Sequence, residues 1–245
     1  LSPGVPLDIP LVEKMKTLGM TIWGEIELAY VLGKGHVVAI TGTNGKTTTT
    51  TLVGQIMARH FAHVAVVGNI GIPYTSVAEE TTDDTVVVAE ISSFQLETID
   101  TFAPKAAAIL NITPDHLNRH HTMANYIAAK ESIVKNQTRD DLCVLNYNDE
   151  VLRAFGKTLE QKVVLFSSTE TLDAGLYLQE NEILWARNGK TEHIISVEEL
   201  NILGAHNYEN VMAAVALCDG MGVPMETIRE GLRDFHAVEH RIEFV

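Results

Sequence analysis

The run Gly42-Thr43-Asn44-Gly45-Lys46-Thr47-Thr48 combines residue types that suit one kind of chemistry. Its glycines let backbone N–H groups close around an anion, and a lysine and a hydroxyl follow immediately. Such a loop, placed after a strand and before a helix, cradles nucleotide phosphates, with Lys46 reaching the terminal phosphates and the Thr47 hydroxyl serving Mg²⁺. Both flanking elements are present: HVVAI (36 to 40) is a β-run, and the stretch from Lys46 onward suits a helix. The strict pattern G-x-x-x-x-G-K-[ST] requires glycine at position 40, where this chain has Ile40, with Gly42 two places later. That departure counts against switch GTPases and ordinary P-loop ATPases and points to a variant loop.

A catalytic magnesium needs more oxygen ligands than one threonine, and an apolar strand ending in an acid is the usual second source. Glu90, after VVVA, fits, although a carboxylate exposed at a strand end is the plain alternative. In NITPDHLNRHH, His116 after Asp115 is a candidate metal ligand. A lone loop histidine is more often a surface residue, and His120 and His121 have equal claim. Lys130, in NYIAAKESIVK, reads by itself as a solvated helix lysine.

These residues need a scaffold, and the sequence predicts a wound α/β fold. Apolar runs at 36–40, 63–68, 85–91, 106–110, 141–146 and 162–166 read as buried parallel strands. Thr47 to His60 and Ala124 to Asn136 are long enough to be crossover helices between them. From 175 to 195 the alternation changes, with turn signals at Glu180-Asn181 and Asn188-Gly189 that predict a small antiparallel β excursion. No function is assigned to residues 170–196. NYENVMAAVALCDGMG then reads as a helix with Val211, Val215 and Cys218 on one face, followed by Pro224 and a short helix to about Phe235. The expected fold is thus a P-loop-containing, mostly parallel sheet flanked by helices.

Composition narrows the partners. Hydrophobic residues make up 46% of the chain and the formal net charge is -14, which excludes the basic footprint that nucleic acid or an anionic membrane requires. Cys143 and Cys218 are far apart and lack metal-type spacing, so free thiols in a reducing compartment are expected, and the cytoplasm fits best. The chain starts at Leu1 without a methionine and stops in HRIEFV, which looks like the start of a strand. It is expected to be cut from a longer protein.

GTNGKT, GNIG (68–71), EISSFQLE (90–97), DHLNRH (115–120), AAK (128–130), GAHNYEN (204–210) and HRIE (240–243) together resemble the Mur ligase family. GTNGKT is shared with folylpolyglutamate synthases, whereas SSFQL is similar to the branch that adds D-glutamate to UDP-N-acetylmuramoyl-L-alanine in peptidoglycan synthesis. The resemblance implies ATP-dependent amide formation through an acyl phosphate, with two Mg²⁺ ions. Residue by residue, it implies phosphate and ATP contacts from Gly42, Thr43, Asn44, Gly45, Lys46, Thr47 and Thr48, with Asn207 and Asn210 near the adenine and Arg241 reaching the phosphates. Thr47 and Glu90 would hold one metal. His116 and Lys130, the latter carbamylated by CO₂, would hold the second. Gly4, Asn69, Ser92, Gln95 and His116 would contact the muramoyl substrate. Asn207 as a helix cap, and Ser92 and Gln95 as strand-end hydrogen-bonders, are the plain alternatives. The implied organisation is 1–34 as the tail of a UDP-binding domain and linker, 35–238 as the ATP-binding domain, and 239–245 as the start of a linker to a further domain. Turnover by this stretch alone is expected to be poor. The competing readings are a folylpolyglutamate-synthase-like ligase and a non-catalytic nucleotide-binding module.

Overall fold

In the computed structural model, residues 1–236 are described. The chain opens with helices α1 (Pro10–Thr17) and α2 (Glu25–Leu32). It continues through β1 (His36–Thr41), α3 (Lys46–Met57), β2 (Val64–Gly68), β3 (Val86–Glu90), α4 (Ser93–Leu96) and β4 (Ala106–Ile109). Then come α5 (Leu117–His120), α6 (Met123–Glu131), β5 (Leu142–Asn146), α7 (Glu150–Gly156) and β6 (Lys162–Ser167). Strands β7 (Gly175–Gln179), β8 (Glu182–Arg187) and β9 (Lys190–Ser196) precede the closing helices α8 (Ala205–Gly220) and α9 (Met225–Asp234). The strands form one nine-stranded sheet in the order β2-β3-β1-β4-β5-β6-β7-β8-β9. Pairing is parallel from β2 to β7 and antiparallel from β7 to β9.

All the predicted parallel strands form, because each apolar run is covered on both faces. Val38, Ile40, Val88, Ala108 and Val144 pack on one side with residues of α3, α8 and α9. Val37, Ala39, Val87, Ala107 and Cys143 pack on the other with residues of α2, α4, α6 and α7. Helix α3 begins with threonines, which are poor helix formers, and it is held by burial of Leu52, Val53, Ile56 and Met57. Every residue of α8 from Asn210 to Cys218 is buried, so this helix is embedded on all sides and exceeds the single apolar face expected from its sequence.

The segment 175–195 turns at the two predicted places, with positive φ at Glu180, Asn188 and Gly189. It does not stand over the sheet: β7 pairs with β6 and the meander extends the sheet edge. The crossover expected from 124 to 136 is divided, α6 stopping at Glu131 before a 3-10 turn over Ser132–Val134. There the Ser132 hydroxyl donates to the Ala129 carbonyl (2.7 Å), a local bond that competes with helix continuation.

Helix α2 is built into the core through a buried carboxylate. Glu27 is fully buried and accepts from the backbone N–H groups of Asp100 (2.8 Å), Thr101 (2.8 Å) and Phe102 (3.0 Å) and from the Thr101 hydroxyl. Burial alone would raise its pKa, but these four donors outweigh burial and hold it below the ordinary carboxylate value. A pKa lower in the folded state means that this stability is present at neutral pH and is lost as pH falls through the carboxylate range. Glu27→Gln should therefore cost about 1–3 kcal/mol at pH 7, since an amide N–H would face backbone donors. Thermal unfolding of both proteins should show the gap narrowing as pH is lowered through that range.

Candidate functional site

Strand β1 lies between β3 and β4, so the winding of the sheet reverses at its carboxyl end, the position where open α/β sheets bind ligands. The loop after β1 leaves from that point and feeds the N-terminus of α3. Gly45, the N-cap, has φ 84°, and a Cβ there would stand 2.3 Å from the Asn210 Oδ1 atom, so glycine is required by conformation and by space. Asn111, just after β4, holds the loop in shape. Its carbonyl accepts from the Thr43 N–H (2.9 Å), its Oδ1 accepts from the Asn44 N–H (2.8 Å), and its Nδ2 donates to the Asn44 carbonyl (3.1 Å). Thr43 also bonds Thr113 and the hydroxyl of buried Tyr126 (3.0 Å).

A pocket of about 410 Å³ is bounded by Thr43 to Thr48, Asn69 and Glu90. Glu90 pairs with Ile40 across β3 and β1 and is only 1% exposed. Its two carboxylate oxygens accept from the Thr47 hydroxyl (2.8 Å) and the Asn69 amide (2.8 Å). The alternative of an exposed strand-end acid is corrected: β3 is flanked on both sides, and its last residue turns into the site. Gly68 makes the approach of β2 possible, since a Cβ there would stand 2.2 Å from the Glu90 carbonyl oxygen. Lys46 Nζ curls over the loop and donates to the carbonyls of Gly42 (3.0 Å) and Thr43 (2.8 Å).

Lys130 departs most from its plain reading as a solvated lysine. It is 2% exposed, on the inward face of α6, with Nζ donating to the Gly42 carbonyl (2.8 Å) and the Thr41 hydroxyl (3.4 Å), and it lies 4.8 Å from the Tyr126 ring centroid. Burial, reinforced by the charge of Lys46, brings its pKa down to about 7.

His116 is the N-cap of α5 in left-handed conformation, φ 50°. Its half-exposed ring contacts Phe94 (centroids 4.9 Å apart) and the Asp115 carboxylate (3.4 Å), while Tyr126 lies between it and Lys130. Among the described residues His116 hydrogen-bonds neither Glu90 nor Lys130. The neighbouring histidines separate from it: His120 is buried, bonded to the Ser93 hydroxyl (2.9 Å) and depressed in pKa by that burial, whereas His121 is exposed beside Asp8.

Ser92 and Gln95 cap a helix, where the plain alternative places them at a strand end. They form a capping box at α4, and the Gln95 amide also donates to Glu25. Asn207 is not the helix cap: Gly204 holds that position, and the Asn207 amide donates to the Leu203 carbonyl (2.8 Å). Asn207 and Asn210 instead line a second pocket of about 520 Å³, which adjoins Asn44, Gly45 and Thr48 and is completed by Asn146, Asn148 and Glu209. Gly4 sits in an exposed turn (Val5 N–H to Ser2 carbonyl, 3.0 Å), which the Arg119 guanidinium holds at the Val5 carbonyl (3.0 Å). Arg241 and the HRIE motif lie outside the described residues. Asn111, Tyr126, Asn146 and Glu209 escaped sequence reasoning. Only Asn111, a polar residue directly after an apolar strand, carried a local signal.

Residues 40–218 match the profile of the Mur ligase middle domain. The chain is 55% identical over 245 residues to the UDP-N-acetylmuramoylalanine--D-glutamate ligase of Lachnoclostridium phytofermentans, covering all of this chain and 54% of that protein. It thus spans about half the length of the curated relatives it matches. The fold is similar to the UDP-N-acetylmuramate:L-alanyl-gamma-D-glutamyl-meso-diaminopimelate ligase of Neisseria meningitides (TM-score 0.68, 19% identity, 97% of this chain and 78% of that one). It is also similar to the MurF ligase of Thermotoga maritima in complex with ADP (TM-score 0.58, 19% identity, 83% of this chain and 50% of that one).

If the Asn111 side chain holds the loop, Asn111→Ala should destabilise the protein by about 1–3 kcal/mol, because the Asn44 N–H and carbonyl both lose their partner. Hydrogen exchange at the Asn44 amide should accelerate by more than the global loss of stability accounts for. Equal acceleration throughout the sheet would show that Asn111 has no local role.

Proposed function

The chain belongs to the Mur ligase family, and from that premise we propose that it forms the ATP- and Mg²⁺-binding core of a cytoplasmic ligase joining D-glutamate to UDP-N-acetylmuramoyl-L-alanine. The observation that carries this reading is the gathering of Lys46, Thr47 and Glu90 on one pocket at the switch point, with Lys130 buried behind the same loop. Residues 35–238 form the nucleotide domain in this reading, with 1–34 and 239–245 leading to flanking domains.

The phosphates lie along the Gly42 to Thr48 loop, where the backbone N–H groups and the α3 N-terminus face anionic oxygens. Lys46 exchanges its carbonyl contacts for the terminal phosphates. The base occupies the second pocket beside Asn207 and Asn210, and Arg241, which lies outside the described residues, would supply a further cation to the phosphates. Thr47 and Glu90 are hard oxygen donors 2.8 Å apart, a pair that suits Mg²⁺. When bound, Mg²⁺ neutralises charge where the triphosphate meets the substrate carboxylate. His116 and carbamylated Lys130 would hold the second ion, and Gly4, Asn69, Ser92, Gln95 and His116 would orient the muramoyl substrate.

In this reading the substrate carboxylate attacks the γ-phosphorus and ADP leaves. The amine of D-glutamate then attacks the acyl carbon, expelling inorganic phosphate and losing a proton. Lys46 and the loop N–H groups offset the charge that collects on the transferring phosphoryl group. The lowered pKa of Lys130 supports the carbamate: a neutral amine attacks CO₂, yielding an N-carboxylate and a proton, and the product turns a cation into an anionic ligand. Without flanking domains the chain binds nucleotide and turns over poorly.

Calorimetric titration with a non-hydrolysable ATP analogue should show Mg²⁺-dependent binding, weakened at least tenfold in Lys46→Ala. A folded wild-type chain that ignores the analogue would overturn the proposal. With ¹³C-labelled bicarbonate, carbon NMR should reveal a carbamate signal that grows, at constant dissolved CO₂, as pH rises through about 7, and that is missing from Lys130→Met.

A further inference from the structure

We infer that Glu209 is the positioning residue of the base pocket: its carboxylate orients Asn146 and Asn148 against the start of α8 and so sets the affinity for the nucleoside part of the ligand. This deepens the nucleotide reading above and rests on it. Three structural elements meet at Glu209. One of its oxygens accepts from the Ser168 hydroxyl (2.6 Å) and the Asn148 amide (3.0 Å), and the other accepts from the Asn146 amide (3.1 Å). Asn146 ends β5, Asn148 follows in the next turn, and Ser168 follows β6. A residue serving only its own helix would take a donor from that helix. Glu209 takes all three from the carboxyl edge of the sheet.

A carboxylate can only accept, so its neighbours must all present N–H or O–H. The rest of the network has the matching sense. Asn146 Oδ1 accepts from the Asn148 N–H (2.9 Å), its Nδ2 also donates to the Leu110 carbonyl (3.1 Å), and Asn148 Oδ1 accepts from the Ser167 hydroxyl (2.7 Å). Flipping either amide would set a carbonyl oxygen against the carboxylate. One anion thus fixes two amides that line the pocket. It also ties the N-terminal part of α8 to the sheet, where Asn207 and Asn210 flank it and bond one another (3.3 Å). Glu209 shares no contact with Lys46, Thr47 or Glu90 among the described residues, so its effect should fall on the base and spare the phosphates.

That separation gives the test. Wild type, Glu209→Ala, Glu209→Gln and Asn148→Ala are titrated, with Mg²⁺, against a non-hydrolysable ATP analogue and against inorganic tripolyphosphate. The analogue should bind about tenfold more weakly to Glu209→Ala, as expected for lost positioning hydrogen bonds. Glu209→Gln should recover part of the loss, since its one remaining carbonyl oxygen can keep the Ser168 and Asn148 bonds. Asn148→Ala should lose affinity in the same sense. Tripolyphosphate affinity should stay within about twofold throughout. Parallel weakening of both ligands would overturn the inference by making Glu209 a general structural residue, and unchanged analogue binding would overturn it directly. A wild-type chain that binds neither ligand would overturn the nucleotide reading itself, and the inference with it.

Discussion

Two lysines converge on a single carbonyl. Lys46 from the start of α3 and Lys130 from α6 both donate to Gly42, at 3.0 and 2.8 Å, so two groups that would each carry a positive charge share one neutral acceptor. Like charges at that separation repel strongly where water is excluded, and Lys130 is nearly fully buried. The local geometry is relieved in one of two ways: one amine gives up its proton, or an anion enters. The lowered pKa of Lys130 expresses the first, and the loop that runs into the N-terminus of α3 offers a place for the second. A chain of net charge -14 thus keeps a concentrated cationic centre at the one place where its sheet presents a ligand edge.

The fold exists around that centre in a literal sense. Parallel pairing of β3, β1 and β4 brings Glu90, the Gly42 loop and Asn111 to one end of the sheet, although they are far apart in sequence. Glu90 is then held by Thr47 and Asn69, the loop by Asn111, and Lys130 by the Gly42 carbonyl together with the Tyr126 ring on its own helix. Side chains held this way lose little further freedom when a ligand arrives, which lowers the entropic cost of binding. The base side is organised differently, by neutral amides whose direction one carboxylate fixes.

Much of this was legible in the sequence because parallel buried strands and a glycine loop are local patterns. The runs 36–40 and 106–110 are apolar whatever surrounds them, and Gly45-Lys46-Thr47 after such a run has few other uses. The environment of a single polar side chain is not local. Lys130 sits in NYIAAKESIVK with nothing in its spacing to distinguish it from a solvated lysine; the Tyr126 ring one turn earlier on α6 lies against it, but the end of β1 and the loop that follows reach it across the fold. Glu209 was invisible for the same reason: its partners come from strands whose neighbours the sequence does not specify. The capping box of Ser92 and Gln95 shows the converse, since S-x-x-Q is itself a local signal for a helix start, although the strand before it suggests strand-end bonds instead.

The two halves of the site also differ in what a ligand must displace. On the phosphate side Lys46 donates to two loop carbonyls, and an incoming phosphate replaces a neutral acceptor with a charged one, strengthening the bond as it forms. In the pocket proposed for the base, Ser168, Asn146 and Asn148 already donate to the Glu209 carboxylate, so a base would gain by fitting among oriented groups and would lose by pulling them away. Affinity should then come chiefly from the phosphates and discrimination chiefly from the base. This division follows from the placement of a cationic cluster and a half-buried carboxylate at opposite sides of one helix N-terminal turn, Gly45 and Asn210 lying against each other between them.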